Sequence, residues 1–383
     1  MSNLKDLFLL DQDVVFLNHG SFGACPKPVF ETYQNWQLRL ERQPVKLLGR
    51  EFTTLMNRAR RELAVYLHTE PGNLAFVPNA THGVNVIARS LALSPGDEIL
   101  TSDHEYGACN YTWEFNSLNT GATYKHQHIS LPAVSKEDLL SQFWQGVTPN
   151  TKVIFISQIT SPTAMRFPVG EICRRAREQG IITVIDAAHS PGQIPVDLTA
   201  MNADFVVGNC HKWMLAPKSA GFLYARPEVQ ALIKPLVVSW GYNPTPNLLS
   251  GFPWIDLLEW RGTIDPAPYL TVPAAIRFME ENDWESVRAQ SHSMLREAIH
   301  RICVLTGLPP LYPLESDLYA QMGIAPLPPE TDIDLLKQRL YDDYLIEVPL
   351  INWQGHKFVR ISIQGYNTAK DIDSLLFALG KYL

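Results

Sequence analysis

Basic residues, cysteines and long apolar runs are all scarce in this chain of 383 residues. There are 32 Lys and Arg against 39 Asp and Glu, a formal net charge of -7, so no broad basic surface for nucleic acid is expected. The five cysteines lack C-x-x-C spacing, which argues against a disulfide framework. No run approaches the length of about 18 apolar residues that a membrane-spanning helix needs, and Leu7 to Leu10 is too short for a signal peptide. We therefore expect a cytoplasmic protein without a membrane segment.

What the chain does contain is enough apolar sequence for a large core, with 46% hydrophobic residues. Its length predicts two or three compact units. Between about residues 72 and 225, short β-rich runs alternate with helical stretches, a pattern typical of a mostly parallel sheet covered by helices. The strands predicted there, each buried on both faces, are Leu74–Val77, Val153–Ser157, Thr183–Ile185, Phe205–Val207 and Gly221–Tyr224.

Past residue 262 the pattern changes to long helices followed by two strand-like segments. Leu345–Leu350 and Phe358–Ile363 alternate as paired strands do, and a last helix follows Thr368 as its candidate cap. The sequence therefore predicts an α/β protein with a large domain at residues 17–262. Residues 263–383, together with 1–16, are expected to form a small α+β domain.

The strongest local feature is a lysine and an acid at the ends of two predicted strands. Lys212 lies in NCHKWMLAPKSAGFLY after Phe205–Val207, and Asp186 ends the strand Thr183–Ile185. Both fall at the carboxyl edge of the sheet, where open α/β folds bind ligands. Pyridoxal phosphate chemistry requires this pair, because the lysine holds the aldehyde as a Schiff base while the acid keeps the pyridine nitrogen protonated. Each residue taken alone is also explained as a solvated lysine or a turn carboxylate, and Lys218 is a second possible lysine.

A third motif, VPNATHGVNVIARSLAL, leads from the strand Leu74–Val77 through a polar turn into a helix that begins near Thr81. Free N–H groups and the positive end of the helix dipole can receive a phosphate there. The alternative is that Asn79 or Thr81 simply caps the helix.

Together with FLNHGSFGACP, SDHEYGACNYTW, EWRGTIDPAPYLTVPAAI and VRISIQGYNT, these motifs resemble those of the class V aminotransferases, a family of fold-type I pyridoxal phosphate enzymes. The resemblance runs from about Asn18 to the C-terminus and is closest to isopenicillin N epimerase-like proteins. It implies a large domain with a mostly parallel seven-stranded sheet and a homodimer with a shared active site. It also implies a small-molecule amino acid substrate, with no nucleic acid or membrane partner.

The resemblance gives each matching residue a role toward pyridoxal phosphate. It implies Lys212 as the Schiff-base lysine, Asp186 as the partner of the pyridine nitrogen and His189 near the ring hydroxyl. Tyr106 takes the place of the group that stacks on the ring, with a phenol where related enzymes have histidine. Further cofactor contacts are implied for Ala80, Thr81, Ser161, Asn209, His211 and, from the other subunit of a dimer, Thr263.

On the substrate side, Arg360 in KFVRISI matches the arginine that binds the α-carboxylate, a task suited to the planar guanidinium. Asn18 and His19 are expected to line the substrate side, or alternatively to form a structural turn with the glycines around them. His126 and His128 have metal-like spacing, but no carboxylate or cysteine lies beside them in sequence, so no metal site is expected. Two aromatic residues either border the pocket or belong to the core and surface: Trp240 and Tyr242.

The predicted function is chemistry at the Cα of an amino acid, with Lys212 removing the Cα proton. An isopenicillin N epimerase-like epimerase or racemase is predicted first, and an aminotransferase or C–S/β-lyase second. A non-catalytic binding protein of the same fold is the remote alternative. The segment LIEVPLINWQGHKFVR contains no cysteine before Arg360, which disfavours a cysteine desulfurase. No residue stands out in the sequence as a second proton donor facing Lys212.

Overall fold

The fold consists of twelve strands and fourteen helices, described by a computed structural model over residues 4–243 and 249–383. The strands are β1 (Val15–Phe16), β2 (Leu74–Val77), β3 (Glu98–Ser102), β4 (Thr123–Gln127), β5 (Thr151–Ser157), β6 (Ile182–Ala187), β7 (Phe205–Asn209), β8 (Gly221–Ala225), β9 (Met322–Pro326), β10 (Ile346–Glu347), β11 (Leu350–Trp353) and β12 (His356–Ser362). The helices are α1 (His19–Phe22), α2 (Lys27–Arg42), α3 (Pro44–Lys46), α4 (Phe52–Tyr66), α5 (Ala80–Ser90), α6 (Gly107–Thr120), α7 (Lys136–Trp144), α8 (Val169–Glu178), α9 (Leu198–Met201), α10 (Pro253–Glu259), α11 (Ala267–Glu281), α12 (Trp284–Thr306), α13 (Ile333–Tyr344) and α14 (Ala369–Tyr382).

Seven of these strands form the central sheet, in the order β2-β8-β7-β6-β5-β3-β4. All pairs are parallel except those of β8, which runs antiparallel to both β7 and β2. The prediction of a mostly parallel seven-stranded sheet is thus confirmed, and each of its five predicted strands is present. The sequence did not single out β3, and it suggested a strand at β4 only as an exposed alternative to a metal site. β4 is a polar, partly exposed edge strand, so its apolar signal is weak.

The central sheet is buried on both faces, because its apolar side chains alternate between two cores. Ala75 and Val77 of β2 belong to the core under α5 and α6. Leu74 and Phe76 point the other way, into the core shared with α4, α8 and α11. This period of two is the geometry of a strand covered on both sides, and it holds the carboxyl ends of the parallel strands rigidly at one edge.

The C-terminal part forms a second sheet of three antiparallel strands, ordered β11-β12-β9. The predicted pairing of Leu345–Leu350 with Phe358–Ile363 is wrong in its first half. The partner of β12 is β11, whereas β10 pairs in parallel with β1 near the N-terminus. Leu345 adopts a left-handed φ of 52°, and Pro349 has no N–H to donate, so one continuous strand cannot form there.

The N-terminal segment is joined to the C-terminal part by backbone hydrogen bonds. The Val15 N–H donates to the carbonyl of Leu345 at 2.9 Å, and the Ser362 N–H donates to the carbonyl of Leu17 at 2.9 Å. These bonds support our proposal that residues 1–16 belong with the C-terminal domain, divided from the large domain at residue 262. The predicted cap of α14 is present, with the Thr368 N–H donating to Asp371 at 2.8 Å. Within the described ranges, no helix combines the length and apolar character needed to cross a membrane.

Candidate active site

A pocket of about 210 Å³ opens at the carboxyl ends of β5, β6 and β7 and at the start of α5. Beside it, the chain order reverses between β3 and β5, which is the position at which open α/β sheets bind ligands. The fold therefore brings Lys212 and Asp186 to the same pocket, although 26 positions separate them in sequence. The lining residues are Ser21, Phe22, Asn79, Ala80, Thr81, Tyr106, Ser157, Ile159, Ser161, Asp186, Ala188, His189, Asn209, His211 and Lys212.

The surroundings of Lys212 make its amine easier to deprotonate than that of an ordinary lysine. Burial lowers the pKa of Lys212 to about 8, against an opposing contribution from Asp186. Its Nζ lies 3.2 Å from Nε2 of His189, whose Nδ1 accepts a hydrogen bond from the Trp213 indole at 3.3 Å. Since burial also lowers the pKa of His189 well below its usual range, the neutral ring carries its proton on Nε2. Nε2–H then donates to a free lysine amine, the form that attacks an aldehyde.

Asp186 ends β6 as a buried carboxylate with spare acceptor capacity. Its Oδ1 accepts the Ala188 N–H at 2.8 Å, and among the described residues its Oδ2 accepts only the weak thiol donor of Cys109 at 3.6 Å. Burial raises the pKa of Asp186, and the charge of Lys212 opposes that rise. A buried acid in this state favours a cationic N–H donor, such as a protonated ring nitrogen, at Oδ2.

The start of α5 forms the polar end of the pocket. Asn79 caps the helix by accepting the His82 N–H at 2.8 Å, while the Ala80 N–H donates to Oδ1 of Asn209 at 2.8 Å. The N–H of Ala80 is therefore occupied by Asn209. The Thr81 N–H makes no hydrogen bond to another described residue.

His211 completes this end of the pocket. Its Nδ1 lies 2.9 Å from the carbonyl oxygen of Ala220, so Nδ1 carries a proton and Nε2 is left for a ligand. Burial lowers the pKa of His211 to about 4, and the Ala220 carbonyl opposes that change. The helix terminus suits an anion such as a phosphate, to which the Thr81 N–H can donate. A neutral His211 offers Nε2 as an acceptor, so it would contact a phosphate by accepting a proton from it.

Arg360 of β12 is a buried cation without a carboxylate partner among the described residues. Its Nη1 donates to the carbonyl and hydroxyl oxygens of Ser161, and its Nη2 donates to the Ser21 hydroxyl at 3.1 Å. Burial lowers the pKa of Arg360 to about 10, and its Nε finds no hydrogen-bond acceptor in the part of the chain that the structure describes. Because a buried unpaired charge is costly, this site favours an anionic ligand beside the two serines that line the pocket.

The other residues predicted to contact the cofactor differ in their positions. Tyr106 and Ser161 line the pocket, with the Tyr106 side chain 47% exposed at its mouth. Thr263 is exposed on a loop outside the pocket of its own chain.

The pair predicted on the substrate side does not reach the pocket wall. The Asn18 amide bonds to Glu347, and the buried ring of His19 bonds to the Tyr366 hydroxyl and the Lys212 carbonyl. Their neighbours in α1, Ser21 and Phe22, line the pocket instead.

Several residues for which the sequence left two roles open lie outside the pocket lining. Lys218 points away from the pocket lining and donates to the carbonyl of Gly23 at 3.1 Å. His128 pairs with Asp103 at 2.7 Å on the surface. Two exposed aromatics lie outside the pocket lining of the described chain: Trp240 and Tyr242.

Besides Ser21 and Phe22, sequence reasoning missed other residues that surround the predicted ones. Trp213 and Cys109 contact His189 and Asp186, and Ser157 lines the pocket next to Asp186. Glu105 is a buried acid that binds Ser157. Of these residues, only Glu105 could have been suspected from the sequence, as an acid between a strand end and a helix start. The roles of the others are visible only in the tertiary contacts.

These residues fit pyridoxal phosphate as the sequence motifs imply. An amine, an under-bonded buried acid and an anion-binding helix terminus lie around one pocket, and they match the aldehyde, ring nitrogen and phosphate of that group. The fold and the site therefore define an α/β enzyme of the kind that uses this cofactor.

Comparison with known proteins supports the same class. The family model for class V aminotransferases (Aminotransferase class-V) matches residues 23–314. The isopenicillin N epimerase of Amycolatopsis lactamdurans is 33% identical over 99% of this chain and 97% of its own. The L-cysteine desulfhydrase of Arabidopsis thaliana is 26% identical over 96% of this chain and 87% of its own. In fold, the apo cysteine desulfurase from Thermococcus onnurineus superposes with a TM-score of 0.83 at 19% identity, covering 100% of this chain and 98% of that one.

The chain belongs to the class V aminotransferase family. It is accordingly a pyridoxal phosphate-dependent enzyme with the fold-type I architecture, and both predictions are confirmed.

Proposed function

We propose that the protein is an amino acid epimerase or racemase that removes and returns the Cα proton of its substrate. The observation that carries this proposal is the Lys212 amine, in contact with His189 in a pocket that also contains Asp186. The 33% identity to isopenicillin N epimerases over nearly the whole chain supports the same reaction. Neither observation specifies the amino acid.

The residues would hold the cofactor by its three functional groups. Lys212 would bind the aldehyde carbon, Asp186 the ring nitrogen, and Thr81 with His211 the phosphate. Tyr106 would pack on the ring face at the mouth of the pocket. When bound, pyridoxal phosphate supplies an electron-withdrawing ring that stabilises negative charge at the substrate Cα.

Arg360 and Lys212 would act on the substrate itself. The Arg360 guanidinium would bind the α-carboxylate, helped by the hydroxyls of Ser21 and Ser161, which it already contacts. Once the substrate amine has displaced it, Nζ of Lys212 would take the Cα proton, because burial lowers the pKa of Lys212 to about 8 and so makes the free amine far more abundant near neutral pH than in an ordinary lysine.

A C–S or β-lyase is the second candidate, favoured by relatives named as probable or putative L-cysteine desulfhydrases, or as L-cysteine desulfhydrase, at 25–28% identity. Loss of the Cα proton is the first step of both reactions, so the same residues serve either one. A desulfurase needs a nucleophilic thiol, whereas no cysteine lines the described pocket. Cys109 is bonded to Asp186, and burial raises its pKa well above the usual range, so it is a poor nucleophile. An aminotransferase remains the third candidate.

Reconstitution with pyridoxal phosphate tests whether the cofactor binds as proposed. We expect a near-visible absorption band that borohydride abolishes, leaving a reduced adduct on Lys212 in the peptide digest. Lys212→Ala should lack both band and adduct, whereas Lys218→Ala should retain them. A colourless wild-type protein would refute the proposal and favour a non-catalytic binding protein.

Incubation with a panel of L- and D-amino acids in deuterated water then separates the reactions. An epimerase incorporates deuterium at Cα and racemises the substrate. Keto acid formed together with pyridoxamine phosphate would indicate transamination, and keto acid with ammonia and sulfide would indicate a lyase. Either result, without racemisation, would contradict the first proposal.

We also propose that the protein is a homodimer with a shared active site, because an apolar surface lies close to the pocket. On α6, Tyr111, Phe115 and Leu118 are 71%, 54% and 85% exposed at helical spacing, and Phe22 at the pocket mouth is 73% exposed. Contiguous exposed apolar surface of this kind marks an interface. Thr263, which is exposed and outside its own pocket, would then contact the phosphate bound by the second copy.

Complementation between two defective copies tests the shared site. Lys212→Ala and Thr263→Ala proteins should each bind the cofactor poorly. When they are unfolded and refolded together, mixed dimers should contain one intact site and regain part of the absorption band. A monomer by light scattering, or no recovery from a mixture shown to contain mixed dimers, would refute the proposal.

A further inference from the structure

Glu105 is a buried acid, 5% exposed, that directly precedes Tyr106 at the pocket mouth. Its Oε1 accepts the Ser102 hydroxyl at 2.6 Å. Its Oε2 accepts both the Ser157 N–H at 3.0 Å and the Ser157 hydroxyl at 2.5 Å. Because Ser102 ends β3 and Ser157 ends β5, one carboxylate ties the two strand ends to the loop that leads into α6.

The Glu105 carboxylate replaces the backbone hydrogen bonds that β3 and β5 no longer make near their carboxyl ends. Residues of β3 and β5 pair only as far as Leu100 with Ile154, so the two strands separate toward their carboxyl ends. The Ser157 N–H therefore donates to Glu105 instead of to a neighbouring strand. This gap is also where the chain order reverses and the pocket opens.

A buried carboxylate is energetically unfavourable in that gap. Burial raises the pKa of Glu105 to about 7, and although its serine donors oppose that rise, the nearby charge of Asp186 adds to it. A neutral side chain would satisfy the serines without placing a second carboxyl near Asp186. Costly buried groups of this kind occur preferentially at functional sites.

The loop after Ser102 is fixed at each residue until Tyr106. The carbonyl and side chain of Asp103 accept hydrogen bonds from Trp353 and Gln354, and His104 bonds to Thr163. The Tyr106 carbonyl accepts the Cys109 and Asn110 N–H groups at 3.0 and 3.1 Å, whereas its side chain makes no cap bond to α6. The position of its ring therefore depends on the backbone on both sides, which is the start of α6 after it and the anchored loop before it.

We propose that Glu105 is a positioning residue that fixes Tyr106 against the cofactor ring by anchoring the β3–α6 loop to the ends of β3 and β5. The inference rests on the proposed cofactor site. It requires that Glu105 influences cofactor binding through Tyr106 and not merely through the stability of the fold.

A double-mutant cycle on the dissociation constant of pyridoxal phosphate tests this requirement. Tyr106→Ala should raise the constant by about tenfold, the order expected for a lost ring contact, and Glu105→Ala should raise it to a similar extent. In the Tyr106→Ala background, Glu105→Ala should change it by less than about twofold. Glu105→Gln keeps one acceptor oxygen and should restore part of the affinity and of the visible circular dichroism of the bound cofactor.

Asp204 provides a matched control for a purely structural effect. It is a buried carboxylate that accepts the N–H and hydroxyl of Thr183 at 2.8 and 3.1 Å, the same contacts that Glu105 makes with Ser157, but at the amino ends of β6 and β7. Its other oxygen pairs with Arg226 at 2.5 Å, so its loss should cost at least as much stability. Asp204→Asn should lower the melting temperature and change the dissociation constant by less than about twofold, as expected for a distant site.

Additive effects of Glu105→Ala and Tyr106→Ala, giving about a hundredfold loss together, would overturn the inference. So would an equal loss of affinity in Asp204→Asn. If Glu105→Ala does not fold, Ser102→Ala removes one of the three bonds and should give a smaller rise that again vanishes in the Tyr106→Ala background. A wild-type protein that binds no cofactor would instead refute the proposed function.

Discussion

The reactivity of Lys212 provides the sharpest test of the site, because two charged neighbours shift its pKa in opposite directions. Asp186 raises the pKa of Lys212, whereas Arg360 lowers it, and burial has a larger effect than either. Asp186→Asn should therefore lower the pKa further, and Arg360→Met should raise it. Opposite shifts from two substitutions are difficult to obtain from any general loss of structure.

The expected increase in the reactivity of Lys212 follows from the size of its pKa shift. Lys212 has a pKa of about 8, against 10.5 for an ordinary lysine. At neutral pH its free-amine fraction should therefore exceed that of an ordinary lysine by about 300-fold. Its reactivity should rise with pH and level off once the pH passes about 8.

Selective acylation of the cofactor-free protein measures this directly. A short pulse of acetic anhydride at a series of pH values, followed by mass spectrometry, gives the labelling midpoint of Lys212, with exposed lysines in the same digest as an internal reference. We expect a midpoint near 8 in the wild type. A midpoint above about 10, the value for an ordinary lysine, or shifts of the same sign in both variants, would refute the electrostatic account.

Two further predictions concern the structure around the site. Gly23 has a φ of +70°, and an added Cβ would lie 2.2 Å from the His211 carbonyl oxygen, so Gly23→Ala should lower both melting temperature and cofactor affinity. Gly96 has a φ of +97° and no atom within 4 Å of an added Cβ, so Gly96→Ala measures the cost of the backbone conformation alone, about 1 kcal/mol. Equal losses of stability in the two variants would exclude a clash at Gly23. Arg60 and Glu259 form a buried ion pair at 2.6 Å. Glu259→Gln removes one of the two charges and should lower the free energy of unfolding by about 3–5 kcal/mol. A loss under about 1 kcal/mol in urea titration, as for an exposed pair, would contradict this.

Much of the large domain could be read from local patterns. Leu74–Val77 and Phe205–Val207 are continuous apolar runs because both faces of those strands are covered, and such runs are visible without knowledge of their neighbours. β9 was missed, since its segment Met322–Pro326 contains glycine and proline and depends on β12 for its pairing. Its existence is decided by tertiary contacts that leave little local signal.

The sequence alone determined the chemistry of the site, since the residue types at Lys212, Asp186 and Arg360 and their places at strand ends or within a strand motif are local properties. Only the tertiary structure decided how these groups are tuned. The lowered pKa of Lys212 depends on burial, and the spare acceptor of Asp186 depends on Oδ2 having only the Cys109 thiol as a partner among the described residues. It also decided that Asn18 and His19 bond elsewhere, while Glu105 ties together two strand ends. Hydrogen bonds and burial join residues far apart in the chain, so no local pattern of residues can encode them.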